Sequence, residues 1–454
     1  MGLHIIILAA GKGTRMHSDL PKVLHKVAGL PMLAQVIKCA QKISPQAIHV
    51  VVGHGSEQIK EAINDDTINW CLQKEQFGTG HAVQQTFANL KDEQNVLVLY
   101  GDVPLLTHET LQQLTNELSQ HDLVILSAKL DDPTGYGRIV RDKKNKVQQI
   151  VEQKDADDNT LSIKEVNSGI LATRTNLLKQ WISKIDNENA QQEFYLTDCI
   201  ELAVKGKHNV EALVCNNADE ILGINSKSQL AEVERIYQRR IAENLMAEGA
   251  TLMDPSRIDV RGELHLGKNV EIDVNSVFEG SNTLGDGVVV GVNAVIINST
   301  IEAGTHIHAN CHIENATIGR NCELGPFARL RPETKLDNNV KVGNFVEIKK
   351  SKVKAGSKIS HLSYIGDCEL GKDVNIGAGT ITCNYDGANK HRTIIGDNVF
   401  VGSDTQFIAP VKVGDGATIG AGSTITKDTP KNKLTLARNK QVTIDNWQRP
   451  KKNK

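Results

Sequence analysis

The sequence lacks four features that would place it in a specialised class of protein. It has no apolar run approaching roughly 18 residues and no basic segment before its first apolar stretch, which argues against a membrane span and a signal peptide. Its eight cysteines include no C-x-x-C pair, so we expect reduced and mostly structural thiols. The net charge of -2 gives no indication of a nucleic-acid or membrane surface. These absences predict a soluble cytoplasmic protein that binds neither nucleic acids nor membranes.

A six-residue repeat distinguishes the second half of the chain, from about Gly262 to Asp428. An aliphatic or aromatic residue recurs at every sixth position in two unbroken series, which are Leu324, Leu330, Leu336, Val342 and Ile348, and then Ile395, Val401, Phe407, Val413, Ile419 and Ile425. Neither the helical period of about 3.6 nor the strand period of about 2 produces this spacing. It is typical of a left-handed parallel β-helix, in which about three hexapeptides form one triangular coil and stacked coils share a continuous core.

The first half of the chain shows no such repeat and alternates strands with helices. We predict strands at residues 4–10, 48–52 and 96–100, and helices at 32–43 and 79–90. This order predicts an α/β domain with a doubly wound, mainly parallel sheet, in which ligands bind beyond the carboxyl ends of the strands.

One long amphipathic helix is predicted between the two halves, at residues 226–248. Ser226 and Gln229 can form a capping box at its start. We therefore expect three segments, namely a domain at residues 1–227, a helical linker at 228–248, and a β-helix domain at 249–454.

The loop after the first strand combines glycines with two cations, Arg15 and Lys22. A glycine-rich loop alone is weak evidence, because many such loops are only turns. The dinucleotide fingerprint fits poorly, since Met16 stands where its third glycine belongs, and no Walker A pattern is present. Flexible backbone beside two cations nevertheless suits a polyphosphate, whose oxygens accept hydrogen bonds from amides while the cations neutralise its charge.

Asp102 directly follows the predicted strand at 96–100. A carboxylate at the carboxyl end of a strand is a natural ligand for Mg²⁺, which prefers oxygen atoms. The alternative role, a helix N-cap, is one that Thr107 could serve better. The sequence therefore favours a metal site at this end of the sheet.

These motifs carry a resemblance to a known family. The run from Gly11 to Met16, followed by Pro21 and Lys22, resembles the signature of the sugar-1-phosphate nucleotidyltransferases. The resemblance implies that Asp102 and Asn225 hold Mg²⁺ and that Arg15 and Lys22 are catalytic. It implies that UTP and UDP-N-acetylglucosamine are bound by Leu8, Ala9, Ala10, Gly11, Lys22, Gln73, Gly78, Thr79, Tyr100, Gly101, Asp102, Gly137, Glu152, Asn167 and Asn225. Within this set, Gly137, Glu152 and Asn167 would hold the N-acetylglucosamine group.

Two segments of the second half depart from the six-residue pattern, at 351–365 and 382–393. The first contains His361, with Tyr364 close to it in sequence. A lone histidine on a loop is more often a surface residue than a catalyst. Here, however, Glu347 and Lys349 lie roughly one coil earlier. We therefore expect Glu347 to orient the imidazole while His361 takes a proton from an amine nucleophile.

The same segments resemble the hexapeptide acyltransferases. The run from Asn375 to Gly387 is similar to a family of bifunctional enzymes that join such a domain to a uridylyltransferase, and the resemblance covers essentially the whole chain. It implies acetyl transfer from acetyl-CoA to glucosamine-1-phosphate. Transfer of UMP from UTP to N-acetylglucosamine-1-phosphate then follows, with release of pyrophosphate. It also implies a role in peptidoglycan and lipopolysaccharide synthesis, and a homotrimer formed through the β-helix.

The resemblance also implies the residues of the acetyltransferase site, which would lie at a subunit interface. The sugar phosphate would be bound by Arg331, Lys349, Tyr364, Asn375 and Lys390, and acetyl-CoA by Ala378, Asn384, Tyr385, Ser403, Ala421 and Arg438. The spacing itself predicts that Ser403 and Ala421 stack, because they are one coil apart in an unbroken stretch. A backbone amide, that of Tyr385 or Ser403, would stabilise the oxyanion.

Two rival interpretations stay open at this point. In one, the protein is a single-activity sugar-1-phosphate nucleotidyltransferase whose β-helix is only structural or regulatory. His361 and the polar run from Asn384 argue against it, since a spacer needs neither. In the other, the chain is a non-enzymatic scaffold that binds nucleotide, which would leave Asp102 and Asn225 unexplained.

Overall fold

The computed structural model describes residues 2–189, 191–450 and 452. The chain divides into two compact units, an N-terminal unit of residues 1–237 and a β-helix unit of residues 238–454. Within the part of the chain that the structure describes, no helix is both long and apolar enough to span a membrane.

The N-terminal unit alternates strands and helices. Its strands are β1 (Leu3–Ala9), β2 (Lys26–Val27), β3 (Leu30–Pro31), β4 (Ala47–Val52), β5 (Ile68–Leu72), β6 (Asn95–Tyr100), β7 (Leu123–Lys129), β8 (Arg138–Arg141), β9 (Val147–Val151), β10 (Glu165–Arg174) and β11 (Val210–Val214). Its helices are α1 (Met32–Gln41), α2 (Ser56–Ile63), α3 (Thr79–Gln84), α4 (His108–Asn116), α5 (Asp158–Leu161), α6 (Thr175–Ile182) and α7 (Asp198–Lys205), and the long helix α8 (Lys227–Ala247) follows them.

The main sheet is mostly parallel and is covered on both faces. Its strand order is β11-β7-β10-β6-β1-β4-β5, and β10 alone on this path runs antiparallel to its neighbours. In β1, Ile5 and Ile7 pack into one core while Ile6 and Leu8 pack into the core on the other side. Burial on both sides explains why this strand is continuously apolar. The predicted doubly wound, mainly parallel α/β fold is confirmed.

One predicted helix is shorter than expected. The helix expected at residues 79–90 ends at Gln84, and a 3₁₀ turn follows at Phe87–Asn89. The hydroxyl of Thr86 donates to the carbonyl of Val83 at 2.7 Å, and such local side-chain bonds compete with helix continuation.

Helix α8 confirms the helix predicted between the two halves. The backbone amide of Gln229 donates to the Ser226 hydroxyl at 3.3 Å, which is one half of the predicted capping box. The other half differs, because the Gln229 side-chain oxygen accepts from the amide of Asn225 at 2.8 Å. Val233 belongs to a core cluster of the N-terminal unit, whereas Leu245 belongs to the core of the β-helix unit.

The β-helix unit consists of short parallel strands that stack in two sheets. One sheet comprises Thr251–Leu252, Glu271–Ile272, Val289–Val290, His306–Ile307, Glu323–Leu324, Lys341–Asn344, Lys358–His361, Asn375–Ile376, Phe400–Val401, Thr418–Ile419 and Leu434–Thr435. The other comprises Ile258–Leu266, Ser276–Leu284, Val295–Ile297, Thr300–Ile301, His312–Glu314, Thr317–Ile318, Arg329–Leu330, Lys335–Leu336, Glu347–Lys349, Lys352–Val353, Tyr364–Gly366, Cys368–Leu370, Ile381–Cys383, Thr393–Ile395, Gln406–Ile408, Val411–Val413 and Thr424–Ile425.

The inward side chains form one continuous core, as the six-residue repeat predicts. Leu324, Val342, Ile359, Ile376 and Val401 follow one another on successive coils, and each is almost fully buried. The predicted left-handed parallel β-helix is confirmed.

The two predicted departures from the repeat have different structures. In the first, the inward-facing Ile348 and Val353 are only five positions apart, so the coil is shortened by one residue at its corner. In the second, the coil is lengthened. Cys368 pairs with Thr393 on the next coil, and more residues separate these two than separate Lys352 from Glu369, which pair across the preceding coil. The extra residues form a loop at 384–392 that leaves the coil and returns to it, and we call it the corner loop.

Candidate functional sites

Three side chains predicted at the nucleotidyltransferase site lie together in the N-terminal unit. Lys22 begins a short 3₁₀ turn, Asp102 follows strand β6, and Asn225 immediately precedes the residues that cap α8. The Lys22 ammonium pairs with the Asp102 carboxylate and donates to the Asn225 side-chain oxygen at 3.0 Å. A positive charge therefore lies between the two predicted metal ligands.

Local backbone structure fixes this cluster. Gly13 has a φ of +62°, and a side chain there would place its Cβ 2.6 Å from the Cβ of Lys22, so the position requires glycine. The amide of Ile224 donates to the carbonyl of Asp102 at 3.0 Å. Together with the bond from Asn225 to Gln229, this contact ties both predicted metal ligands to the same stretch of backbone.

The predicted sugar-binding residues also come together. The amide of Asn167 donates to the carbonyl of Gly137 at 2.9 Å, and a Cβ on Gly137 would lie 3.3 Å from both carboxylate oxygens of Glu152. Burial raises the pKa of Glu152, whose carboxylate accepts a hydrogen bond from Thr197 at 3.3 Å. Burial likewise raises the pKa of Tyr100.

These groups line one cleft of about 770 Å³, a size that suits a nucleotide sugar. Among the predicted residues, the cleft is lined by Arg15, Thr79, Tyr100, Asp102, Gly137, Glu152, Asn167 and Asn225. Gln73 instead lines a second hollow of about 470 Å³ together with Gln76 and Lys12. The other predicted residues, Leu8, Ala9, Ala10, Gly11, Lys22, Gly78 and Gly101, line neither space.

Gln76 connects the second hollow to the end of strand β1. Its side-chain amide donates to the carbonyl of Ala10 at 2.6 Å. The Gln73 amide donates to the carbonyl of Gly78 at 3.2 Å and lies 3.1 Å from the His81 ring. These contacts join the predicted nucleotide-binding segments 8–11 and 73–79, and sequence reasoning missed the contributions of Gln76 and His81.

The β-helix unit gives His361 a partner that differs from the predicted one. His361 lies directly above Asn344 in the stack, and its Nδ1 is 2.9 Å from the Asn344 side-chain oxygen. That oxygen can only accept, so Nδ1 carries the proton and Nε2 is free to take one. The expectation that Glu347 stacks beside His361 is wrong, because Asn344 lies beneath His361 and Glu347 lies beneath Tyr364.

Glu347 instead pairs with Arg331 of the predicted sugar-phosphate site and with Arg329, which was not predicted there. It accepts from Arg331 at 2.8 Å, and Arg329 lies 3.8 Å from its other oxygen. Lys349 lies on the same strand, below Gly366 on the next coil. A Cβ on Gly366 would lie 2.5 Å from the Tyr364 hydroxyl, so only glycine leaves room for this ring.

Asn375 is not grouped with these residues. One sheet of the β-helix or its edge carries Arg331, Lys349 and Tyr364. Strands of the other sheet carry Asn375 and His361. Within one chain, the predicted acceptor residues are therefore divided between two faces.

The predicted acetyl-CoA residues form the stack that their spacing implies. The amide of Asp404 donates to the carbonyl of Ala378 at 2.7 Å, and the amide of Gly422 donates to the carbonyl of Ser403 at 2.8 Å. Ala378, Ser403 and Ala421 thus occupy one position on three successive coils. The Arg438 guanidinium donates to the carbonyl of Ala421 at 2.8 Å and extends the row.

The corner loop presents the remaining predicted residues. The Lys390 ammonium lies 4.0 Å from the centre of the Tyr385 ring, and Asn384 at the start of the loop is buried. Asp386 accepts from the amide of Asn389 at 2.6 Å, from His391 at 2.6 Å and from the amide of Ala388, and these bonds hold the pKa of its carboxyl well below the usual range. The loop is therefore closed by its own hydrogen bonds.

The fold and the two sites define a two-domain transferase. A family model described as the MobA-like NTP transferase domain matches residues 5–161. A second, described as the bacterial transferase hexapeptide (six repeats), matches residues 298–332, 315–350 and 392–427. Nucleotidyl transfer and hexapeptide-type acyl transfer are therefore combined in one chain.

Full-length relatives identify the family. The chain is 55% identical over 450 residues to the "Bifunctional protein GlmU" of Marinobacter nauticus, with 99% of each chain covered. It is 56% identical over 452 residues to that of Cupriavidus necator, again with 99% of each covered. With that of Ralstonia pickettii it shares 54% identity over 452 residues, 100% of this chain and 99% of the relative. The chain belongs to the family of the bifunctional protein GlmU.

Membership in this family confirms the predicted enzyme. The chain is a bifunctional uridylyltransferase and acetyltransferase that acts on small-molecule substrates. Its nucleotidyltransferase half implies a divalent metal ion.

Proposed function

We propose that residues 1–227 carry out uridylyl transfer, that residues 249–454 carry out acetyl transfer, and that the helix at 228–248 joins them. One observation supports this division: each unit holds its own cluster of groups suited to one reaction. Lys22 with Asp102 and Asn225 forms the first cluster, and His361 with Asn344 belongs to the second. Acetyl transfer to glucosamine-1-phosphate comes first, because its product is the acceptor of the second reaction.

In uridylyl transfer, a phosphate oxygen of N-acetylglucosamine-1-phosphate attacks the α-phosphorus of UTP in line. The bond from that phosphorus to the bridging oxygen breaks, and pyrophosphate leaves. Arg15 and Lys22 offset the negative charge that accumulates on the phosphate oxygens. Glu152, Asn167 and Gly137, which line the same cleft, hold the sugar. Their mutual contacts support this role.

The residues present fit a divalent metal, which we propose to be Mg²⁺. Asp102 and Asn225 would hold it. Their side-chain oxygen atoms already contact one cation, the Lys22 ammonium, which lies between them. Among the described residues, no group of three or more histidine, cysteine, aspartate or glutamate side chains forms a metal site. Two protein ligands suit Mg²⁺, which commonly completes its shell with water and substrate phosphate. When bound, the ion would neutralise phosphate charge.

In acetyl transfer, Nε2 of His361 accepts a proton from the amine of glucosamine-1-phosphate. The amine nitrogen attacks the thioester carbonyl of acetyl-CoA, the carbon–sulfur bond breaks, and CoA leaves as the thiol once its sulfur has taken the proton from His361. Asn344 keeps the proton on Nδ1 and thereby keeps Nε2 available. A backbone amide, that of Tyr385 or Ser403, stabilises the oxyanion.

Binding in this site requires both faces described above, which would meet at an interface between two subunits. Arg331 and Lys349 carry the positive charge for the sugar phosphate, with Tyr364, Asn375 and Lys390 around the sugar. Acetyl-CoA lies along the row of Ala378, Ser403 and Ala421, with Arg438 near its phosphates and Asn384 and Tyr385 near the thioester. Glu347 holds Arg331 in place.

We also propose a homotrimer formed through the β-helix. One corner of the stack carries asparagine at 275, 293 and 310, and the side-chain amide of Asn293 donates to Asn310 at 3.1 Å. The next three coils carry Phe327, Phe345 and Leu362 there, with φ of +57°, +56° and +49° and exposures of 49%, 56% and 62%. Bulky apolar residues in a left-handed conformation and in water are doubly unfavourable. A second copy that covers them would offset this cost.

The enzyme would act in the cytoplasm and supply peptidoglycan and lipopolysaccharide synthesis. Its eight cysteines are all free in the structure, which fits a reducing compartment.

The proposed function is tested by incubating the protein with glucosamine-1-phosphate, acetyl-CoA, UTP and Mg²⁺ while following free thiol and pyrophosphate separately. Release of both supports the two-step sequence. Pyrophosphate release that requires added N-acetylglucosamine-1-phosphate, with no thiol, would contradict the assignment of acetyl transfer to the β-helix.

A further inference from the structure

We propose that Asp367 is a positioning residue for acetyl transfer, because it anchors the corner loop to the coil below it. This inference rests on the acetyl-transfer function proposed for the β-helix. Asn384, Tyr385 and Lys390 all belong to the loop, so its placement decides where three of the proposed binding groups lie.

Asp367 stands out among the residues at its corner of the stack. The corresponding corners of the two preceding coils carry Glu333 and Lys350, which are also in the left-handed conformation and are exposed. Asp367 has a φ of +48° but is only 7% exposed. A carboxylate that is this buried needs hydrogen bonds, and so its partners indicate what it does.

Those partners lie at both ends of the corner loop. The Asp367 carboxylate accepts from the side-chain amide of Asn384, the first loop residue. The Asp367 backbone carbonyl accepts from the amide of Thr393, just after the loop, at 3.2 Å. The amide of His391 donates to the carbonyl of Asn384 at 2.9 Å and closes the loop between these two points.

The loop is therefore closed on itself, and Asp367 holds its start. Its last residue, Arg392, is held separately, because its guanidinium lies 3.0 Å from the Glu369 carboxylate and its carbonyl accepts from the amide of Val411 at 3.4 Å. Its internal bonds, such as those made by Asp386, do not involve Asp367 and would persist without it. The contact with the Asp367 carboxylate also fixes the orientation of Asn384, whose nitrogen faces the carboxylate and whose oxygen is left as an acceptor. Removing the carboxylate should leave the loop folded but free to shift.

The test compares Asp367→Gly with Asp367→Asn. Glycine adopts the left-handed conformation without strain and keeps the backbone contact to Thr393, so only the side-chain anchor is lost. Asparagine also tolerates this conformation and retains an oxygen that can accept from Asn384. Glu333→Gln is the matched control, since it removes one negative charge at the same corner two coils away. Uridylyl transfer serves as an internal control in every variant.

We expect Asp367→Gly to lower kcat/KM for acetyl transfer by about 100-fold, the effect of displacing binding groups by roughly 1 Å. Hydrogen exchange at the amides of His391 and Thr393 should become faster in the same variant. Asp367→Asn should restore most of the acetyl transfer and of the protection. Glu333→Gln should behave as wild type, and uridylyl transfer should stay unchanged throughout.

Several results would overturn the proposal. Normal loop protection and normal acetyl transfer in Asp367→Gly would show that no anchor is needed. A protected loop with slow acetyl transfer in both variants would assign Asp367 an electrostatic role. If Asp367→Gly fails to fold, the Asp367→Asn variant decides. Loss of acetyl transfer in Asp367→Asn while the loop stays protected contradicts the positioning role, and retained acetyl transfer in this variant supports it. A wild-type protein without acetyl transfer would refute the proposed function, while the exchange result would still report on the anchor.

Discussion

Replacing Lys22 by methionine should tighten the binding of a divalent metal ion to the nucleotide-free protein. The Lys22 ammonium pairs with Asp102 and donates to Asn225, so a metal ion must displace it from both proposed ligands. Methionine keeps a side chain of similar length but removes the competing charge. The same substitution should slow uridylyl transfer, because Lys22 also offsets phosphate charge.

The magnitude follows from the burial of the pair. The Lys22 and Asp102 side chains are 13% and 15% exposed. The free energy of their interaction should therefore lie between that of an exposed ion pair, about 0.2–1 kcal/mol, and the cost of disrupting a fully buried pair, about 3–5 kcal/mol. A competing interaction of about 1–3 kcal/mol corresponds to a change in metal affinity of about 5- to 150-fold. UTP should draw Lys22 towards its phosphates, so the enhancement of metal affinity by UTP should be smaller in Lys22→Met than in the wild type.

The assay is direct binding of Mn²⁺, followed by the electron paramagnetic resonance signal of the free ion with and without UTP. Lys26→Met is the matched control, because Lys26 is an exposed lysine on the following strand and its loss changes the net charge equally. Metal affinity that is unchanged or weaker in Lys22→Met than in Lys26→Met would refute the competition.

Three further predictions concern the base, the subunit contact and the buried histidines. His361→Ala should lower the acetyl-transfer rate about 10²–10⁴-fold while uridylyl transfer stays normal; equal loss of both activities would remove His361 from the mechanism. Phe345→Asn should suit the left-handed corner yet weaken the trimer, as measured by sedimentation; an unchanged trimer would place the interface elsewhere. His49 stacks on His4 and burial lowers its pKa from 6.5 to about 4, so the unfolded state binds more protons. Stability should therefore fall by about 3 kcal/mol as pH drops from about 6.5 to 4, and urea titrations of His49→Leu should show a weaker dependence.

Periodicity predicted the fold of both halves because it reflects burial directly. The six-residue spacing of Leu324 through Ile348 follows from one inward side chain on each short strand. The near-continuous apolar run in β1 follows from a sheet covered on both faces. Asp102 could also be predicted as a metal-ligand candidate, since a carboxylate at the end of a strand is visible in the sequence, whereas Asn225 was expected only from the resemblance to the nucleotidyltransferases.

The partner of His361 could not be predicted without the length of the local coil. A regular coil of three hexapeptides places Gly343 beneath it, whereas a corner shortened by one residue places Asn344 there. Counting back one position fewer than a regular coil would have found Asn344. No such count finds Asp367, because its burial depends on the corner loop that folds over it. Gln76 was missed for a similar reason, since its partner Ala10 is distant in sequence.

The stacked coils impose a rule on changes of chain length. Ala378, Ser403 and Ala421 share one position on successive coils only because one complete coil separates each of them from the next. Deleting one residue from a strand between two of them would rotate every later side chain out of alignment and expose core residues, so such deletions should be far more harmful than substitutions. The corner at 384–392 shows where extra residues can be accommodated, since the coils above and below it remain in register. Over evolutionary time, an enzyme of this kind can acquire new groups near its substrates by lengthening its corners while its strands keep their length.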